Sequence, residues 1–489
     1  MTKNNKCLHR ALWLLFAFAS YVFSMLMLSS HTSPIYENAL GWDSAIFSLM
    51  GKGLCEGKTL YVDLFDHKGP VIFYINAIGH LIGGRTGIFA VQCVFGFVSI
   101  YFFFKIFALL TEERSWAGYI YGALVFFSVY SYFFFTFERG NLTEEYSLPF
   151  IIIPLYLMLK YAKSTDKAIQ HPPLYALVYG VCFGILAFLR VNNAIGIVAG
   201  VLAVVIYLLI KKQYASVGKN LLFGVGGVLL VAVPISVAFL VRGSFREMIN
   251  ATFLHNLKYK SHSDLSKLKP EVVIAMFSAL VLCVILVAVY FIVKRRFELC
   301  DGIICAALVS SVIMLCASNQ YPHYFAVFVP VYFLVLSRYF THGARILCAV
   351  LIIAASVISF MAAGQYYVDM YESHFEKEET KWLCDEVKTL TDIIPDSERD
   401  SLICYQITPY VYHYAEVLPA HRYFTLQKSW AKADPRILEE FYQWMEDTPP
   451  TWVVVSEWEN DERMLCILSE RYEHKSTGAG LRLYRLITE

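Results

Sequence analysis

The sequence predicts a polytopic α-helical membrane protein that ends in a small extracytoplasmic α/β domain. Three observations carry this. Of 489 residues, 57% are hydrophobic and only 17% charged, where a soluble protein carries about 25% charge. Apolar runs of membrane-crossing length recur from residue 11 to residue 363. Basic clusters recur at alternate ends of those runs, which sets the topology.

The apolar runs fall at 11–29, 86–110, 116–136, 146–161, 174–190, 194–210, 219–242, 271–293, 302–318, 324–339 and 344–363. A span needs about 17–25 residues, so the expectation is about eleven spans, some of them short. The apolar stretch Pro70–Gly84 is too short to cross. It carries Asn76 and His80 four residues apart, on one helical face, and is expected to be an interfacial helix. The first run follows Lys3, Lys6 and Arg10 and lacks a small-x-small cleavage site before Ser29. It is therefore expected to remain as an anchor.

Charge fixes the expected orientation. The groups Lys160/Lys163/Lys167, Lys211/Lys212/Lys219, Lys294/Arg295/Arg296 and Arg338/Arg345 all share the side of the N-terminus when Pro70–Gly84 is left out of the count. The positive-inside rule makes that side cytoplasmic, with the N-terminus inside and the C-terminus outside. The near-cancellation of 41 basic and 40 acidic residues argues against a nucleic-acid partner. Most of the twelve Cys sit in apolar runs as small hydrophobes, and Cys404 with Cys466 is the one pairing the C-terminal region offers.

This topology divides the chain into a membrane domain, 1–363, and an external domain, 364–489. Polar chain gathers outside: 30–85, 137–145, 243–270, the short Ser318–His323 turn and the tail. In the tail, Glu376–Ile394, Ala433–Asp447 and Asp461–Tyr472 read as helices. Ser401–Gln406, Trp452–Ser456 and Leu481–Ile487 read as strands. The alternation suggests a layered α/β unit without a nucleophile elbow, P-loop or dinucleotide fingerprint, and so a docking or lid domain.

The candidate chemistry lies in the external loops. In Gly41-Trp42-Asp43-Ser44, Asp43 opens an amphipathic run, either as a helix cap or as a carboxylate placed to accept a proton. In Asp66-His67-Lys68-Gly69-Pro70, Lys68 either pairs with Asp66 or holds a lipid-linked phosphate. Glu144 and Glu145 stand at the mouth of a span, where two carboxylates are costly unless paired or used. Asn141-Leu142-Thr143 matches a glycosylation sequon, on a turn too tight for a glycan. Arg190, between two apolar runs, faces either a phosphate or an internal carboxylate. Tyr321 and His323, with His255 in the third long loop, add phenol and imidazole on the same side. Acids from two loops and bases from three others on one membrane face suit chemistry on a phosphate-linked substrate.

This arrangement resembles the GT-C membrane glycosyltransferases that use polyprenyl-phosphate sugars, in particular the bacterial protein O-mannosyltransferase-like enzymes and the aminoarabinose lipid A transferases. The architecture matches along the whole chain. The sharp motifs lie within 41–70 and 138–150, with weaker support at 319–330. By this resemblance Asp43 matches the first-loop general base, Lys68 the lysine that contacts the donor phosphate, and Glu144 or Glu145 the second acid. Gly69 departs from the Lys-Pro-Pro of many relatives, and Trp42-Asp43-Ser44 lacks the Asp-Glu pair of the mannosyltransferases.

The resemblance implies a multi-pass enzyme of the cytoplasmic membrane whose site faces outward. It would move a hexosyl or pentosyl group from a polyprenyl-phosphate carrier to a lipid, glycan or protein acceptor of the cell envelope, in one inverting step. Arg190 or His323 would join Lys68 at the phosphate. No cofactor is required, and a divalent metal at His67 or His255 stays open. A secondary transporter is the rival from another class. It is disfavoured because the spans are nearly free of charge. A lipid-linked polysaccharide polymerase or ligase is the rival among enzymes; its large loop is expected late in the chain.

Overall fold

The computed structural model describes residues 3–36, 42–111, 139–164, 169–258, 270–317, 322–339 and 378–487. The expected spans at 116–136 and 344–363, and Tyr321, lie outside the described residues. Among the described residues three helical stretches are long and apolar enough to cross a membrane: Pro70–Thr111, Pro173–Ile210 and Tyr214–Val241. The chain divides into two compact units. One comprises Met1–Leu28, Gln92–Ile235 and His262–Tyr367; the other comprises Ser29–Val91, Ser236–Ser261 and Val368–Glu489.

The first unit is helical. Its elements include Lys3–Leu28, Thr143–Ala162, Pro173–Arg190, Ile195–Ile210, Tyr214–Val241, Pro270–Lys294, Leu299–Ala317 and Val329–Tyr339. Pro173–Arg190 and Ile195–Ile210 are two helices rather than one. Arg190 itself is extended (φ −164°, ψ 104°), and a single 3-10 turn, Val191–Ala194, follows it.

Polar contacts show these helices running alternately up and down. At one end, the His171 ring packs on Tyr161 and bonds Asn220 and Tyr179, while Tyr161 also meets Tyr207. Arg338 is buried there between Asp301 (3.0 Å) and Glu298 (2.8 Å), and Tyr339 donates to the same Asp301 carboxylate. At the other end lie Glu144, Arg190, Asn193 and Tyr324. Arg338, one of the basic residues used to orient the chain, is a buried and paired cation. Burial of a guanidinium demands such partners.

The second unit joins three distant stretches. Trp42–Cys55 is a helix that buries Ser44 through Gly51. It packs on the helix that starts at Pro70: a side chain added at Gly51 would lie 2.7 Å from Asn76 Cβ, and His80 Nε2 bonds Ser48 O at 2.9 Å. The face carrying Asn76 and His80 is therefore a packing face.

Pro70–Thr111 breaks at Gly83 and Gly84, and Gly84 adopts φ +60°, which a side chain would disfavour. Beyond the break the chain returns so closely that a side chain at Gly87 would strike the Gly79 carbonyl. Pro70–Gly84 is thus a segment distinct from the helix that follows it.

In the tail, four strands form a sheet in the order β1-β2-β4-β3: β1 Leu402–Tyr405, β2 Trp452–Ser456, β3 Tyr472–Gly478 and β4 Leu481–Leu486. β1 and β2 are parallel, and the other pairs antiparallel. The helices Glu378–Asp392, Arg436–Asp447 and Glu462–Arg471 accompany them. Asp461 caps the last, accepting from Met464 N. The β3–β4 hairpin turns through Ala479 (φ 57°) and Gly480 (φ 71°), the left-handed pair a two-residue hairpin requires. Cys404 is buried and Cys466 exposed, and both are free thiols.

Three buried histidines of this unit are held neutral. Burial pushes His255 and His413 down to about 4 and His421 to about 3. His413 Nε2 lies 3.0 Å from Ala45 O, and the His421 ring stacks on Trp444 at 4.5 Å. A depressed imidazole means that the unfolded chain binds protons first. Their contribution is thus complete above pH 6.5 and lost as pH falls towards 4.

Two outcomes are expected. The thermal midpoint of the solubilised protein should fall steadily between pH 6.5 and 4, and His421→Phe should blunt that fall. Asp301→Ala, which removes the buried carboxylate of Arg338 and leaves it the exposed Glu298, should cost about 3 kcal/mol of stability, read by denaturant or thermal unfolding.

Candidate functional site

The expected site residues form two groups, one in each unit. The first is built on the loop between the Trp42–Cys55 helix and the helix starting at Pro70. Asp43 lies in the first turn of its helix and stays one-third exposed. Phe47, one turn on, presents the same face. Lys68 reaches both: its ammonium is 3.9 Å from Asp43 Oδ2 and 5.9 Å from the Phe47 ring centroid. It is also 3.2 Å from His67 Nε2. Lys68 thus pairs with Asp43 through its side chain. Its link to Asp66 runs through the backbone.

That backbone is pinned on three sides. Asp66 Oδ1 accepts from Lys68 N at 2.7 Å. Tyr61 donates its hydroxyl to Lys68 O at 2.9 Å, and Asn256 donates its amide to His67 O at 2.7 Å. Tyr61 is itself fully buried with φ +67°, and is wedged by Phe73 and Phe239. Thr252 donates to its hydroxyl at 3.4 Å. Thr252 and His255 come from a π-helical turn, Asn250–His255.

Asp66 is 2% exposed. Burial pushes its carboxyl up to about 6; the Lys68 charge opposes this shift, and Asp43 adds to it. The loop therefore holds a carboxylate that titrates close to neutrality beside the lysine.

The loop is also clasped by the tail. Phe65 N donates to Arg422 O at 3.0 Å. The Phe65 ring meets Tyr423 and Trp430 edge-on, both at 5.2 Å, and His255 at 5.7 Å. His67 and His255 rings lie 5.7 Å apart, and the Asp434 charge acts on His255. Among the described residues no three His, Cys, Asp or Glu side chains converge as a metal site.

The second group lies in the helical unit. Glu144 pairs with Arg190 and also accepts from the Thr143 hydroxyl. The Arg190 guanidinium lies flat against Tyr324, 3.6 Å from its ring centroid. Of the two partners left open for Arg190, the structure gives it the internal carboxylate of Glu144; a phosphate partner is untested.

Glu145 is a structural acceptor. It takes bonds from Gln92 (2.9 Å), Asn141 N (3.0 Å) and Tyr21 (3.3 Å), which secure a turn with Arg139, Gly140 and Asn141 all at positive φ. Asn141 is buried and accepts from Tyr146, so the sequon amide lies inside the fold. His323 is buried, edge-on to Tyr324.

Sequence reasoning found the loop and its charged groups. It missed Tyr61, Phe65 and Asn256 as supports, although Phe65 and Asn256 stand beside Asp66 and His255, already singled out. It had no signal for Tyr423, Trp430 or Asp434, which lie far along the chain.

With this geometry in hand, the fold is similar along its whole length to that of the aminoarabinose transferase ArnT from Cupriavidus metallidurans. Against the structure bound to undecaprenyl phosphate the TM-score is 0.66 at 11% identity, covering 97% of this chain and 98% of that chain. Against apo ArnT it is 0.64 at 10% identity, with the same coverage. The apo oligosaccharyltransferase of Archaeoglobus fulgidus follows at 0.51 and 13% identity, covering 97% of this chain and 74% of that chain. At these identities the likeness is one of fold, and it is the GT-C fold that the loop motifs led us to expect. No curated protein matches the sequence. Residues 4–349 match the family described as the putative competence-induced protein Ccs4 N-terminal domain, and the chain belongs to that family.

Proposed function

We propose that this protein is a membrane glycosyltransferase that moves a sugar from a polyprenyl-phosphate carrier to an acceptor outside the cytoplasm. The observation that carries the reading is the meeting of Asp43 and Lys68 at the start of the Pro70 helix. Lys68 stands two residues before that helix, so its ammonium and the positive end of the helix dipole both favour an anion. The partial exposure of Asp43 leaves a carboxylate open to an acceptor. The ArnT fold, solved with undecaprenyl phosphate bound, supports the same class of donor.

In the proposed step Asp43 takes the proton of an acceptor hydroxyl or amine as its oxygen or nitrogen attacks the anomeric carbon. The bond from that carbon to the phosphate oxygen breaks, and the carrier leaves as a lipid phosphate whose added charge is met by Lys68. The anomeric centre passes through an oxocarbenium-like state and is inverted. The contacts of Lys68 with His67 and Asp43 orient the ammonium.

Glu144 and Glu145, expected among the catalytic acids, are better read as supports. One neutralises Arg190, and the other fastens the turn before its helix. In this reading the N-terminus and the basic clusters face the cytoplasm of a multi-pass enzyme in the cell membrane, while the first loop and the tail face outward.

Asp43→Asn should lower turnover by about 10²–10⁴-fold with expression and membrane insertion unchanged; near-native turnover would exclude Asp43 as the base. Lys68→Ala removes one charge-assisted contact, so carrier-phosphate affinity should fall about 10–100-fold. Because Asp66 is raised to about 6, it stops holding the Lys68 backbone as an anion once pH drops below that value. Donor affinity should then decline as pH falls through 6. Asp66→Asn should remove that limb of the profile, measured with the carrier phosphate at a series of pH values.

A further inference from the structure

The tail beyond residue 378 has no assigned role, and its contact with the first loop suggests one. Phe65 sits three residues before Lys68 with its ring between His255, Tyr423 and Trp430, and its N–H is tied to the Arg422 carbonyl. From the other side, Asn256 holds the His67 carbonyl, and Tyr61 holds that of Lys68. Every backbone polar group bonded between His67 and Lys68 is thus held by a side chain of the same unit. The aromatic ring that anchors the segment is gripped mostly by the tail. Two further contacts tie the tail to the neighbouring helix: Lys52 Nζ to Glu416 O at 2.9 Å, and His413 to Ala45 O.

We propose that the C-terminal domain is the element that positions the donor lysine, with Phe65, Trp430 and Asn256 as positioning residues acting through Lys68. The inference rests on the reading of Lys68 as the phosphate contact. It gives the domain a definite task in donor binding rather than that of a passive cover. The chemistry requires it: a flexible ammonium is a point charge that gains little from a phosphate it must first be ordered to meet. A lysine whose backbone is fixed at its N–H and carbonyl starts from a set Cα, and Asp43 and His67 then limit where its ammonium can reach.

The test uses the full-length protein in lipid nanodiscs, with undecaprenyl phosphate alone as the probe. Phe65→Ala, Trp430→Ala and Asn256→Ala are each combined with Lys68→Ala in double-mutant cycles. Each single variant should weaken binding about three- to tenfold, while in the Lys68→Ala background the same changes should add less than about twofold, as residues acting through one group must. Phe65→Leu, which keeps an apolar anchor, should recover most of the affinity.

Full additivity in the Lys68→Ala background would mark the three side chains as merely structural and overturn the proposal. So would native affinity in Trp430→Ala, the one variant within the domain itself. If Phe65→Ala does not fold, Trp430→Ala and the exposed Asn256→Ala decide the matter alone. Native affinity in Lys68→Ala itself would instead remove the phosphate role of the lysine, and the proposal with it. The two failures are therefore separable.

Discussion

The candidate site depends on one constraint: an ammonium must be held in place beside carboxylates in a part-buried loop. Asp66 is the nearest carboxylate in sequence; its Oδ1 accepts from the Lys68 backbone N–H, and its charge acts on the lysine as well. Asp43 stands at 3.9 Å, a contact too long for a tight pair. His67, neutral when it accepts from an ammonium, supplies orientation without charge. The lysine is thereby placed by its neighbours, as the proposed phosphate contact requires.

The same physics has the opposite outcome in the helical unit. Arg190 has a carboxylate and a ring face, and Arg338 has two carboxylates. Both guanidiniums are satisfied internally, as a buried cation among apolar helices must be. This separates the charges of the chain by role. Those whose partners saturate them hold helices together. Lys68, held through its backbone on the loop, is the candidate for chemistry.

Much of this was legible in the sequence. Apolar run lengths marked the helices, and the break at Gly83-Gly84 was foreshadowed by a stretch too short to span. Strands β1, β2 and β4 showed as apolar or alternating runs. β3 did not: Tyr472–Gly478 is exposed along most of its length. An edge strand with two solvated faces carries no period-two apolar signal. At the site, Asp43 and Lys68 stood out because charge beside apolar sequence is unusual. The clasp on Phe65 could not be read, because a phenylalanine in a membrane protein is indistinguishable from any other until its neighbours are known. Two of those neighbours, Tyr423 and Trp430, lie more than three hundred residues away in the chain.

Gly69 is where this loop departs from the Lys-Pro-Pro of the proteins it resembles, and the backbone suggests why the difference matters. Gly69 is not among the residues with a left-handed φ, so no strained turn demands glycine there. What glycine contributes is an N–H where proline has none, and an absence of side chain next to the lysine. Both act on the same atoms: the anion that Lys68 is placed to meet, at the mouth of a helix whose first residue, Pro70, offers no N–H of its own. On the proposed reading of the site, Gly69 would act on the seating of the donor and not on the position of the lysine. Substrate preference is the property in which this loop should differ most from loops built with two prolines.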